Sequence, residues 1–462
     1  MGFVSVAFFL CLALAATAFY AVPGRWRTRY LLALSYAFYA SWSLPYLLLL
    51  VLASLAAFGA GRAIAHAAEE RSKKIFLAGG IAALLVLVAG FKGGGEIKGL
   101  LFPLGLSYYS FKLIAYLVEV YWDESALQAD LAAFCLYPAF FPQIVSGPIQ
   151  RPQDFFAQWR RAARAPADFA GIEDGFRLIL GGLMLKLLIA DRLGAFIAVV
   201  DVEPERFNWG VNAACICCYT LQLYADFAGY TNIALGVGKL FGITGPPNFN
   251  APFAAANIQD MWRRWHMSLT LWLTDYLFMP LQMALRGLGR AGLVLCITIN
   301  MVAIGLWHGL TLNFLCFGAF HALCLNVTAL TAKPRKFLFG RRAVTRAAAH
   351  LSGAVLTFGL ITLSMLFFHT QTLGSAWLHF RLLTFLLPAG VLGWGDIRSD
   401  VSDPVIACMA LAYYFSIGAP GLRPVGRVAG ALAPNWLQYG LALLLISAMT
   451  VESAGGFIYG QF

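Results

Sequence analysis

Apolar stretches of about 20 residues recur along this chain from one end to the other, and their length restricts the fold more than any other property of the sequence. The hydrocarbon core of a bilayer is about 30 Å thick, which one helix of about 20 apolar residues crosses while satisfying its own backbone hydrogen bonds. Of the 462 residues 60% are hydrophobic and only 12% are charged, against about 25% charged in a water-soluble domain, so no sizeable soluble domain fits between the runs. The expected fold class is all-α, a multi-pass transmembrane helical protein with about 11 membrane helices.

The net charge of +11 does not point to nucleic acid, because the basic residues fall in short clusters between apolar runs rather than along one continuous face. Membrane topology accounts for them. Arg25, Arg27 and Arg29 follow the first run, Arg71, Lys73 and Lys74 follow the third, and Lys333 to Arg346 separate two later ones, so the positive-inside rule places these loops in the cytoplasm. Residues 1–23 carry no charge, which puts the N-terminus on the extracytoplasmic side. A cleaved signal would carry basic residues ahead of its apolar segment, so the first run reads as a retained helix. Cys215, Cys217 and Cys218 form a close cluster with no second Cys or His pair at ligand spacing beside it, and they read as membrane packing with no metal site expected.

Helices are expected near 2–22, 29–43, 46–66 and 75–91, a peripheral lipid-facing group within residues 1–99. From Leu100 the texture changes. Pro103, Pro138, Pro142, Pro148 and Pro152 interrupt the apolar pattern, with Gly105 and Gly147 among them, and broken or re-entrant helices follow. Non-helical backbone at membrane depth is tolerated only inside protein or beside a wet cavity, so residues 100–330 form the expected working core. Further helices are expected near 175–200, 209–228, 291–308 and 311–330, and a C-terminal group within 331–462 near 347–368, 375–388, 403–418 and 436–451. The absence of internal sequence symmetry disfavours a repeat-built transporter.

Four constellations carry polar chemistry. In Gly305-Leu306-Trp307-His308-Gly309, preceded by Asn300 and followed by Asn313, one histidine stands in an apolar stretch with small neighbours that leave space around its ring. An ionisable group at membrane depth is costly, and a neutral imidazole is able to take a proton from a hydroxyl at cellular pH; the alternative is a neutral histidine bonding a neighbouring helix. The run from Asn257 to Tyr276 is dense in Trp and charge and contains Arg263, Arg264, Trp265, His266 and Ser268; it suits either function or an interfacial anchor. Gln222 and Asp226 fall four residues apart on one helix face, where Asp226 needs a partner such as a histidine or arginine to orient, or a buried network to satisfy. Phe141 to Arg151 is a turn-rich segment, kinked or re-entrant, whose chemistry composition alone does not assign. The remaining histidines, His66, His321, His350, His369 and His379, read as structural. No Gly-x-Ser-x-Gly elbow, phosphate loop or His-Glu-x-x-His helix occurs, which removes common soluble hydrolase and nucleotide mechanisms.

Taken in order, Phe102-Pro-Leu-Gly-Leu-Ser-Tyr-Tyr, Phe141-Pro-Gln-Ile-Val-Ser-Gly-Pro-Ile, Tyr224-Ala-Asp-Phe-Ala-Gly-Tyr, Trp262-Arg-Arg-Trp-His-Met-Ser-Leu and Gly305-Leu-Trp-His-Gly resemble the membrane-bound O-acyltransferases. The likeness is to the bacterial branch that acetylates alginate and D-alanylates teichoic acid. It implies broken helices around a central funnel or tunnel, built by an O-acyltransferase core over 100–330. The family's Trp-His-Gly histidine matches His308, and its Arg-Trp-His histidine matches His266. The two lie 308 − 266 = 42 positions apart, so only tertiary folding brings them together. Asp226 and Asn313 are raised as supporting residues, with Trp307 shaping a pocket wall and Gln222 and Ser268 as further substrate contacts. Asp275-Tyr-Leu-Phe-Met-Pro-Leu-Gln-Met lacks the paired glycines of alginate-type sequences, while Asp226-Phe-Ala-Gly-Tyr and Trp265-His-Met-Ser-Leu look like the D-alanylation relative, which leaves the acceptor open.

The resemblance implies acyl transfer in a bacterial cytoplasmic membrane, with a thioester, acetyl-CoA or an acyl carrier protein, as co-substrate and no bound cofactor. A polysaccharide hydroxyl is the expected acceptor, reached directly or through an extracytoplasmic acetyltransferase or esterase-like partner, with membrane lipid around the protein. D-alanyl transfer to teichoic acid is the enzymatic alternative. A glycan or lipid transporter is the alternative of another class, since intramembrane polar residues also mark substrate pathways.

Overall fold

The computed structural model describes residues 5–93, 102–331, 343–384 and 390–393, with a few positions between 439 and 446. Helices α1 (Val6–Ala21), α2 (Gly24–Ala40), α3 (Leu44–His66) and α4 (Glu70–Gly93) occupy the first four apolar runs. Their starts have local causes. Ser5 and Ser43 cap α1 and α3 by accepting from the amides of Phe8 and Tyr46, and Pro45 sits in the first turn of α3, where a missing N–H costs nothing. Leu48, Leu52, Ile75 and Val86 stand exposed on α3 and α4, apolar surface of the kind a bilayer covers. Among the described residues five helices are long and apolar enough to cross a membrane: Leu44–His66, Glu70–Gly93, Arg286–His308, Leu312–Leu330 and Ala347–His369.

Two compact units divide the chain, one of residues 1–182 with 230–247 and the other of 183–229 with 248–462. In the first, α5 (Leu106–Trp122) is buried along nearly its whole length against α3 and α4. Gly61 permits that approach, since a Cβ there would lie 2.6 Å from the Tyr116 ring. Next come α6 (Leu131–Ala139), which contains Pro138, a buried turn over 140–150, α7 (Pro152–Ala162) and α8 (Phe169–Leu183). The turn fits because Gly105 has φ +70° and no Cβ, an atom that would fall 1.8 Å from the carbonyl oxygen of Ile144. Polar groups of the Phe141–Arg151 motif satisfy one another inside protein. Lys112 Nζ donates to Gln143 Oε1 at 3.0 Å and to the Tyr137 carbonyl at 3.2 Å, and Gln143 Nε2 donates to Gln150 Oε1 at 3.0 Å.

The helix expected over 175–200 is present and continuous, with a π-helical stretch at Met184–Ala190 between α8 and α9 (Asp191–Val202). The wider π register coincides with a buried cation, for Lys186 Nζ meets Asp191 Oδ1 at 2.8 Å. Helix α10 (Trp209–Leu240) runs past the expected end near 228, and the glycines beyond that point serve packing. A Cβ at Gly236 would lie 2.4 Å from the Gly175 carbonyl oxygen. The run from Asn257 folds as short pieces, α11 (Ile258–Trp262), α12 (Met267–Leu273), a π turn at Thr274–Phe278 and α13 (Met279–Ala284). Long helices follow: α14 (Gly289–His308), α15 (Leu312–Leu330), α16 (Ala343–His369) and α17 (Leu373–Leu383). Of the helices expected near 403–418 and 436–451, the first lies outside the described residues and the second almost entirely so.

Candidate active site

His308 is the last residue of α14, and the crossing of α14 with α15 delivers it. A Cβ at Gly305 would come 2.2 Å from the Phe314 carbonyl oxygen, and one at Gly318 would come 2.6 Å from that of Met301, so these two glycines put the helices in backbone contact. Thr311 then caps α15 by accepting from the Phe314 amide, which reverses the chain within a few residues. The sequence suggested that Gly305 and Gly309 leave space around the imidazole, and the structure corrects this. The ring of Phe314 fills that space, 2.6 Å from where a Gly309 Cβ would stand, and stacks on His308 with centroids 5.8 Å apart. Phe368 presents an edge at 4.7 Å, and His308 is 5% exposed.

His266 reaches its place by an unusual backbone. It caps α12 in the left-handed region, φ 44° and ψ 50°, which costs a residue with a side chain about 1–2 kcal/mol. Hydrogen bonds on both sides hold it there. The Met267 amide donates to the Asn248 carbonyl at 2.9 Å, and the Asn250 amide donates to that of Arg264 at 2.9 Å. Ser268 adds two bonds to Asn248 Oδ1, from Oγ at 2.6 Å and from its amide at 3.2 Å. Such a residue, fixed by several bonds and fully buried, is the kind of strain that clusters at functional sites.

The folding of unit two brings together what 42 positions separate. The Trp307 ring lies 4.7 Å from the His308 ring and 5.7 Å from the His266 ring, so both imidazoles flank one indole. Phe227 closes the far side of His266 at 4.7 Å. Both histidines line one cleft with Leu223, Trp262, Ile304 and Phe368, and the space that accepts a water-sized sphere is about 10 Å³, room for a single water. An imidazole there faces a developing charge with little competing solvent.

The other candidates occupy different ground. Asp226, fully buried, forms a 2.8 Å ion pair with Lys186, which also pairs with Asp191, so a lysine within a buried network is one partner where the sequence offered a histidine or arginine or such a network. Gln222 extends across Gly194 of α9 rather than lining the cleft. Asn313 donates from Nδ2 to the Thr370 carbonyl at 2.7 Å, tying the start of α15 to the end of α16. His321, read as structural, lies in a bonded series. Trp262 Nε1 donates to His321 Nδ1 at 3.3 Å, and Nε2 meets Ser364 Oγ, whose own proton goes to the Ile361 carbonyl; this pattern corresponds to the neutral Nε2–H tautomer. Lys186 escaped the sequence reading, though a lone lysine in an apolar run is a signal of the same kind as His308.

The sequence profile of the membrane-bound O-acyltransferase family matches residues 127–368, more than half of the chain, and this region contains His266, Trp307 and His308. The chain belongs to this family. As a member it is a multi-pass membrane protein. It is similar to a probable alginate O-acetylase of Azotobacter vinelandii, 30% identical over 332 residues that cover 66% of this chain and 64% of the relative. A peptidoglycan O-acetyltransferase of Helicobacter pylori is 28% identical over 382 residues, covering 73% of this chain and 70% of the relative. A teichoic acid D-alanyltransferase of Bacillus subtilis is 31% identical over 220 residues, covering 45% of this chain and 54% of the relative. The match thus spans a little under two thirds of the Azotobacter relative and about half of the Bacillus one.

Proposed function

We propose that the protein, in a bacterial inner membrane with its N-terminus outward, transfers an acetyl group from a cytoplasmic thioester to a hydroxyl of a cell-surface or exported polysaccharide, directly or through a partner. The observation that carries this reading is the pair of imidazoles that touch one indole and line one narrow cleft. His308 takes the proton of the acceptor hydroxyl as its oxygen attacks the thioester carbonyl. The tetrahedral intermediate then collapses, the C–S bond breaks, and the thiolate recovers the proton from the imidazolium. A general base contributes about 10²–10⁴-fold, so positioning and charge stabilisation supply the rest, and His266, which shares the Trp307 ring with His308, is the second group for that task.

A second reading, D-alanyl transfer from a carrier thioester, draws support from Ala228 and Met267 in the two motifs and from the Bacillus and Streptococcus thermophilus D-alanyltransferases that match. The same acyl chemistry serves both. A strain lacking the gene, complemented with the wild type, separates them when the ester-linked groups released from its surface polysaccharides by mild base are weighed by mass spectrometry. Acetate restored by the wild-type gene supports the proposal, D-alanine restored supports the second reading, and unchanged ester content in all strains contradicts both.

A further inference from the structure

Three side chains that the acyl-transfer reading does not use converge in the second unit. Asp201 stands near the end of α9, His369 is the last residue of α16, and His379 lies within α17. His369 Nε2 lies 2.9 Å from Asp201 Oδ2 and 3.0 Å from Oδ1, and one ligand atom from each of the three residues falls within 4.8 Å of the other two. We propose that Asp201, His369 and His379 form a binding site for one divalent transition-metal ion, with zinc the best fit.

The donor set suits a borderline transition-metal ion, zinc or iron(II), and zinc needs no redox partner. Two imidazoles and one carboxylate are a recurrent zinc triad, and they leave a further position for water. Magnesium and calcium favour oxygen ligands and many of them, so a site two thirds nitrogen discriminates against both. Zinc bound at about 2.0–2.2 Å holds neighbouring ligand atoms about 3.3 Å apart, below the 4.8 Å within which the three ligand atoms already lie. One carboxylate with two neutral imidazoles sums to a single negative charge against the ion's two positive ones. The Asp201 side chain is 31% exposed and that of His369 10%, which leaves an approach for the ion from one side. The remaining contacts set orientation. The Tyr219 ring lies 4.3 Å from the His369 ring, and Cys215 Sγ sits 3.9 Å from Asp201 Oδ1.

The position gives the ion a consequence for the cleft. His369 follows Phe368, whose ring touches His308, and it precedes Thr370, whose carbonyl accepts from Asn313. An ion bonded to α9, α16 and α17 fixes the end of α16 and with it the aromatic wall behind His308. The three residues are thus positioning residues for the reaction.

The test uses the full chain purified in detergent without a polyhistidine tag, stripped with EDTA and dialysed against zinc or magnesium. Zinc is expected at one ion per chain by elemental analysis, with a rise in the unfolding temperature that EDTA reverses and magnesium does not reproduce. Asp201→Asn and His379→Gln are expected to lose both the bound zinc and the zinc-dependent rise, while His66→Gln, at an exposed position, keeps them. His379→Gln leaves the His369–Asp201 contact in place, so loss of zinc there separates coordination from a simple hydrogen-bonded tie. Wild-type protein that retains no zinc after dialysis, or a zinc response that persists in both variants, overturns the proposal.

Discussion

Trp307 touches both imidazoles, its ring 4.7 Å from that of His308 and 5.7 Å from that of His266, although it is not among the residues that line the cleft. Replacing it with alanine removes a ring contact that both imidazoles make. Trp307→Ala is therefore expected to lower kcat/KM for acyl transfer about 10–100-fold in proteoliposomes, with Trp307→Phe falling in between, because misplacement of about 1 Å carries costs of that order. Lys186 presents the opposite problem, a cation buried between two carboxylates. Lys186→Met removes the cation and keeps the anions, a change that costs about 3–5 kcal/mol when a buried pair is broken. A fall in unfolding temperature for Lys186→Met, partly recovered by adding Asp226→Asn and Asp191→Asn, is the expected result by thermal denaturation in detergent. Unequal legibility followed from the neighbours. His308 stands out in the sequence because its flanking Gly and Trp are distinctive, whereas Lys186 is flanked by leucines and its two partners lie 5 and 40 positions away (191 − 186 and 226 − 186), a distance only the fold reveals.

The helices that the sequence announced clearly are those whose apolar runs are long and unbroken. Residues 46–66, 291–308 and 311–330 correspond closely to α3, α14 and α15, because lipid demands a continuous apolar surface and each start is marked by a cap or a turn. Less legible were the segments that protein rather than lipid surrounds. The short helices between Ile258 and Ala284 and the π stretch at Met184–Ala190 obey local polar contacts, which no periodicity encodes. Gly305, read as leaving room around the imidazole, marks a helix crossing instead, and Gly236 marks another that the sequence reading did not address. Gly305→Leu should push α15 from α14, lower the unfolding temperature and abolish transfer. Gly359→Ala in α16, where a Cβ would meet nothing within 4 Å, should leave both unchanged. Equal behaviour of the two variants would show that the crossing does not set the position of His308.

For the molecule entire, the candidate site residues His266, Trp307 and His308 belong to unit two, and the candidate membrane spans fall in both units, α3 and α4 in the first and α14, α15 and α16 in the second. The sequence conveyed the multi-pass class through length and apolarity, and the ordered motifs conveyed the family. What it did not convey is how residues remote in the chain meet: His266 with Trp307, and Asp201 with His369 and His379. The central claim is that His308 is the general base. It is tested most directly by the initial rate of acyl transfer from a radiolabelled acetyl thioester to acceptor glycan, comparing wild type with His308→Gln in proteoliposomes of matched protein content and unfolding temperature. The expected rate for His308→Gln is lower by about 10²–10⁴-fold, with substrate binding preserved. A rate within about twofold of the wild type would contradict the assignment, since a general base of ordinary strength contributes far more than that.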